Sequence, residues 1–182
     1  KNKSACKYVL TNKFGFLKLL PLIHNKLNVI SKRLRCILFC RRYDLKVYEY
    51  SAYSFINYHW LAGFIVGDGS FQIKILNRRT PLSPKYEIRL QLQIDQHTNN
   101  DFILAQIRDE FGGNLYFRKK QSSSYYNSTS FDVYSRLINY LESYQLCSNK
   151  YKEYLIWKRA YFYRQHVENI IKMKTRLSLI KR

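Results

Sequence analysis

The sequence predicts an α+β fold, with helices on one face of a four-stranded antiparallel sheet and basic helical extensions at both ends. Three observations predict it. Residues 60–68, Trp-Leu-Ala-Gly-Phe-Ile-Val-Gly-Asp, read as an apolar helix with Gly63 and Gly67 four apart on one face. Residues 86–96 alternate strictly between apolar and polar side chains, the period of a strand with one buried face. Residues 99–111 place Phe102, Ile103, Ile107 and Phe111 at helical spacing and stop at Gly112-Gly113.

Taken in order, the first helix ends at Asp68-Gly69 and passes into a strand-like run, Ser70-Phe-Gln-Ile-Lys-Ile-Leu76. Small residues four apart let two helix backbones approach closely. A carboxylate at the helix end then lies beside its partner's carboxylate. An apolar helix stopped by glycine, with Asp68 as a turn residue, would use the same residues, and the downstream pattern decides between the two. In the second strand Ile88, Leu90, Leu92 and Ile94 point one way. Glu87, Arg89, Gln91, Gln93 and Asp95 point the other, and strand one offers Gln72 and Lys74 to the same polar face. Arg and Gln are the side chains that pair bidentately with guanine and adenine in the major groove. After the 99–111 helix, Asn114–Lys120 and Ser128–Tyr134 read as a second hairpin around a polar loop, 121–127. Ser135 then caps a helix through Tyr144, and 150–164 forms a last long helix.

Leu61-Ala-Gly-Phe-Ile-Val-Gly-Asp-Gly69 and the elements after it resemble the LAGLIDADG homing endonucleases over residues 55–166. The resemblance implies an αββαββα unit whose motif helix, through Gly63 and Gly67, forms the interface with a second such unit. It implies that Asp68 is the metal-binding acid, with Mg²⁺ as cofactor when the protein is active. Val66 stands where an acid is common in the motif. It also implies that a polar residue ending the second strand and a Lys opening the last helix approach the scissile phosphates, and the matching positions are Gln96 and Lys150. Cleavage needs two such motifs, and one is present. Residues 6–45 resemble the tail of a preceding unit, with a final strand at 7–12, a helix over 16–27 and a closing helix over 31–39. The chain so divides into a basic segment 1–50, a LAGLIDADG domain 51–166 and a basic arm 167–182.

Net charge is +20 in 182 residues, a nucleic-acid-binding balance. It is uneven: residues 1–48 carry +11, residues 158–182 carry +7 and the core 49–157 only +2. Phosphate contacts are therefore expected from Arg118, Lys119 and Lys120 beside the sheet, and from Lys172, Lys174, Arg176, Lys181 and Arg182 in the arm. A non-nucleic-acid role fits this balance poorly. No apolar stretch is long enough to cross a bilayer. The four cysteines lack metal-ligand spacing and read as free thiols in a reducing compartment. Usage skewed to Lys, Asn, Ile, Tyr and Phe suggests an AT-rich organelle genome and a mitochondrial location.

Two functions compete at this level. The single carboxylate and the flank-weighted charge favour a non-cleaving RNA binder in an organellar ribonucleoprotein, either a mitoribosome component or an intron maturase, with structured rRNA or intron RNA as partner. The motif favours a Mg²⁺-dependent homing endonuclease on duplex DNA, as a homodimer or with a separate first half. Sequence weighs slightly toward the first. Both imply a protein partner or second unit at the motif helix and no membrane.

Overall fold

The computed structural model describes residues 9–47, 57–77, 86–128 and 130–181. They fall in two compact units, 1–53 and 54–182.

In the first unit, α1 (Lys13–Ile23) is capped by Asn12, whose side chain accepts from the Gly15 amide at 2.5 Å. Helix α2 (Ile30–Arg42) follows. The Phe16 and Phe39 rings pack with centroids 4.3 Å apart, and Phe39 meets Tyr43 at 4.6 Å. The expected strand at 7–12 is not there: residues 9–12 lead into the cap of α1, and 7 and 8 lie outside the described residues. Its residues look like a strand, but Asn12 has more to gain by bonding a free helix N–H.

The second unit runs α3 (Trp60–Asp68), β1 (Gly69–Asn77), β2 (Tyr86–His97), α4 (Asp101–Phe111), β3 (Asn114–Arg118), β4 (Ser123–Asn127), α5 (Phe131–Ser143), α6 (Ser148–Phe162) and α7 (Val167–Ile180). The four strands form one antiparallel sheet in the order β1-β2-β4-β3. This is the expected α+β architecture. Register puts Gln72 opposite Gln91, Lys74 opposite Arg89 and Ser70 opposite Gln93 on one face. Phe71 opposite Leu92 and Ile73 opposite Leu90 lie on the other. That second face is the core: Phe71, Leu92, Ile94 and Tyr126 are fully buried. Trp157 of α6 closes it, 5.4 Å from the Phe71 ring and 5.3 Å from Tyr134. Burying a side chain of this size stabilises by roughly 1.5–3 kcal/mol.

The second hairpin differs from its expected placement. β4 is Ser123–Asn127, not Ser128–Tyr134, and α5 starts at Phe131. Residues 128–134 alternate like a strand. Ser130, however, caps the helix by accepting from the Val133 amide, and Asp132 complements its N-terminal dipole. The turn needs only residues 119–122, with Ser122 left-handed at φ 44°.

Within the basic segment 167–182, Val167–Ile180 form helix α7, one of the expected helical extensions, with Ile170 and Leu177 buried; Arg182 lies outside the described residues.

Candidate functional site

Helix α3 begins without a side-chain cap. Its Ala62 amide is instead met by the Tyr140 hydroxyl at 3.2 Å, which donates to the Tyr58 carbonyl at 2.6 Å. Burial pushes that hydroxyl up to about 12, so it stays a neutral donor and acceptor. Leu61, Ala62 and Ile65 face the core. The opposite stripe carries Gly63 and Gly67, both exposed, and a methyl group on either would meet nothing within 4 Å. The close helix contact expected at these glycines is not made within the second unit. Gly69 differs: a methyl there would lie 2.6 Å from the Ile65 carbonyl oxygen. Only glycine lets the chain turn from α3 directly into β1.

That turn presents Asp68, exposed at the helix end. Gln96, near the end of β2, donates from Nε2 to Asp68 Oδ2 at 2.6 Å. Asn100 Nδ2 donates in turn to Gln96 Oε1 at 3.2 Å, which fixes the Gln96 amide with its NH₂ toward the carboxylate. Lys150, in the first turn of α6, donates from Nζ to the Gly69 carbonyl at 2.9 Å and to Glu153 at 3.3 Å. Asp68, Gln96 and Lys150 come from α3, β2 and α6, and the fold gathers them at one end of β1.

A hard divalent cation takes six or more oxygen ligands, with carboxylates as anchors. Among the described residues no three His, Cys, Asp or Glu side chains cluster to hold a metal ion. Asp68 is an exposed oxygen donor beside a bare glycine stripe, which fits one half of a donor set completed by a second unit.

The open sheet face is a connected polar surface. Gln72 Nε2 donates to Gln93 Oε1 at 3.3 Å, and Gln93 Nε2 donates to Asp95 at 2.7 Å. Arg118 bonds Asp95 and lies 4.2 Å above the Tyr125 ring, which packs 5.1 Å from Tyr116. Arg89 is half exposed and holds Glu87 at 2.7 Å. Lys74, Lys119 and Lys120 are exposed. Gln91 was expected on this face to touch nucleic acid, but it is 8% exposed, with its Oε1 enclosed and without a partner in the described structure. It lines a cleft of about 590 Å³ with Asn127, Tyr116, Tyr125 and Phe131, beyond the end of β4.

On α7, Lys172, Lys174 and Arg176 are exposed. Lys181 instead turns inward, donating to Ser70 Oγ at 3.1 Å and to the Phe71 carbonyl. Sequence reading missed Asn100, Glu153 and the Tyr116–Tyr125 pair. Asn100 alone carried a signal, four residues after Gln96 where a helix begins.

The LAGLIDADG endonuclease family model matches residues 61–161. An uncharacterised 37.2 kDa protein of cox1 intron 2 from Schizosaccharomyces pombe is 39% identical over 192 aligned positions, covering 100% of this chain and 56% of that protein. A probable intron-encoded endonuclease 3 from Neurospora crassa is 27% identical over 54% of this chain and 19% of its own length. This chain thus spans little more than half of the first relative and a fifth of the second. Among solved structures, the I-LtrWI LAGLIDADG homing endonuclease bound to target DNA aligns over 88% of this chain and 62% of its own, with 23% identity and a TM-score of 0.60. The meganuclease I-CpaMI bound to uncleaved DNA aligns over 62% of this chain and 38% of its own, with 25% identity and a TM-score of 0.54.

Proposed function

Because this chain belongs to the LAGLIDADG endonuclease family, we propose that it is the DNA-reading half of an intron-encoded homing endonuclease, completed by a second unit across the glycine stripe of α3. The single observation that carries this reading is the gathering of Asp68, Gln96 and Lys150 at one helix end, with Gln96 2.6 Å from the carboxylate. An RNA scaffold has no need of that grouping.

In this reading Asp68 supplies one carboxylate of a shared site, and a divalent ion bound there would supply Lewis-acid stabilisation of the phosphodiester. Gln96 holds the Asp68 carboxylate in one orientation, and Asn100 sets which end of the Gln96 amide faces it. Lys150 keeps positive charge beside the site, where it would balance charge on the scissile phosphate. The open face, through Gln72, Lys74, Arg89 and Gln93, reads base edges in the major groove. Arg118, Lys119, Lys120, Lys172, Lys174 and Arg176 bind flanking phosphates. The DNA-bound I-LtrWI and I-CpaMI structures support duplex DNA as the ligand, and the cox1 intron relative supports an origin in a mitochondrial genome.

The flank-weighted charge, +11 on residues 1–48 alone, favours a second reading, a non-cleaving binder of structured RNA. Selection by the full chain from mixed pools of randomised duplex DNA and structured RNA separates the two. The endonuclease reading expects one duplex sequence to be enriched, with discrimination reduced by about 1–3 kcal/mol per base contact in Arg89→Ala or Gln72→Ala. Enrichment of folded RNA, indifferent to those substitutions, would replace it with the second reading.

A further inference from the structure

Glu153 sits on α6 and is 5% exposed. A buried carboxylate is costly unless cations and donors compensate it. Two lysines do so: Lys150 at 3.3 Å, and Lys181, from the residue that ends α7, at 3.9 Å. The same two ammonium groups reach β1. Lys150 donates to the Gly69 carbonyl, and Lys181 to Ser70 Oγ and the Phe71 carbonyl. β1 is an edge strand, and an edge strand leaves backbone carbonyls in want of donors. The lysines meet that want at the Gly69 and Phe71 carbonyls, and Lys181 also bonds the Ser70 hydroxyl between them. Burial holds the Lys181 ammonium below its ordinary value, Lys150 nearby adds to this, and Glu153 opposes it. The Lys181 ammonium is thus engaged by Ser70, Phe71 and Glu153.

We propose that Lys181 is a positioning residue for the Asp68–Lys150 end of the site. By sharing Glu153 it leaves Lys150 bound to the Gly69 carbonyl, and by bonding Ser70 and Phe71 it fixes the strand that follows Asp68. Without it, Glu153 has Lys150 as its one cation and draws it off the Gly69 carbonyl, while the start of β1 loses two bonds. The C-terminal helix α7 is thereby part of the site through the residues that follow Asp68. This inference rests on the endonuclease reading for its catalytic consequence, but its structural part does not.

The test uses the full chain as wild type, Lys181→Met and Lys181→Arg. First, without metal or DNA, amide hydrogen exchange over Ser70–Gln72 should run about fivefold faster in Lys181→Met. The Lys150 ammonium resonance should shift in the same variant, and Lys181→Arg should restore both. Second, on the selected duplex, the salt dependence of binding should keep its wild-type slope, whereas loss of a phosphate contact would flatten it by about 0.9. Third, in a cleaving two-unit assembly, kcat should fall about 10–100-fold with KM unchanged. Wild-type exchange and an unmoved Lys150 resonance in Lys181→Met, or a slope flattened by about one contact, would overturn the proposal. Should Lys181→Met fail to fold, the wild-type chain still decides. Its Lys181 ε-methylene must show nuclear Overhauser contacts to Ser70 and Phe71, and their absence overturns the assignment. If the wild-type assembly cuts no DNA, the endonuclease reading fails while exchange and the Lys150 signal still judge the positioning.

Discussion

At the scale of single residues, polar groups in this protein act in pairs that set one another's state. Gln96 shows how far sequence alone could see. Its place at the end of an alternating strand marked it, but its bond to Asp68 depends on how β1 and β2 register, a contact 28 residues apart in the chain. Lys181 shows the opposite. Five cations in a helical tail look alike on paper, and burial of Ile170 and Leu177 is what turns this one toward β1. Gln91 lies recessed, 8% exposed, in a cleft with Asn127, Tyr125 and Phe131, a depth that alternation cannot reveal. A pair away from the site offers a pH test. Lys158 at 2.7 Å, and the Tyr154 hydroxyl at 2.6 Å, hold the Glu142 carboxyl below its ordinary 4.5. A lowered carboxylate pKa contributes stability above pH 4.5, and that contribution is lost as pH falls through the folded value. The group is half exposed, so screening limits its worth. Glu142→Gln should therefore cost ~0.2–1 kcal/mol at pH 7, and the difference from wild type should close as pH falls from 4.5 through the folded value, as read by urea melts at each pH.

At the scale of elements, the glycines in α3 and at its junction with β1 divide into two kinds that no spacing rule separates. Gly69 is needed by its own chain, because a methyl would press on the Ile65 backbone at 2.6 Å. Gly63 and Gly67 are not, since nothing lies within 4 Å of a methyl there. Gly69→Ala should destabilise the chain by ~1–3 kcal/mol. Gly63→Leu should leave the melting of the chain by itself within about 0.5 kcal/mol of wild type, yet abolish association of two units in sedimentation. A two-unit species that survives Gly63→Leu would mean the units meet elsewhere. β1, β2 and α4 were legible because each carries one period cleanly, and the motif helix because of its glycine spacing and the Asp68-Gly69 stop. The second hairpin was not, because 128–134 alternates like a strand while Ser130 offers a helix cap, and the cap prevails once β3 has paired with 123–127. The hairpin position depends on tertiary pairing rather than on local pattern.

At the scale of the whole molecule, the unit 54–182 carries a polar sheet face, a carboxylate at one corner and a bare helix stripe beside it. Sequence weighed the flanking charge above the motif and leaned to RNA. The endonuclease reading is our proposal, and it rests on the grouping of Asp68, Gln96 and Lys150. In the proposed reading a second unit brings the other carboxylate, so the direct measurement supplies such a unit. The chain is fused in tandem to a copy of itself and given the duplex it selects, with Mg²⁺. The account predicts cleavage of both strands. Asp68→Asn in both copies should reduce cleavage at least about 100-fold with DNA affinity kept, an amide being a poor ligand for a hard cation. A tandem protein that binds its site tightly and leaves both strands whole, or an Asp68→Asn protein that cuts as fast as wild type, would contradict it.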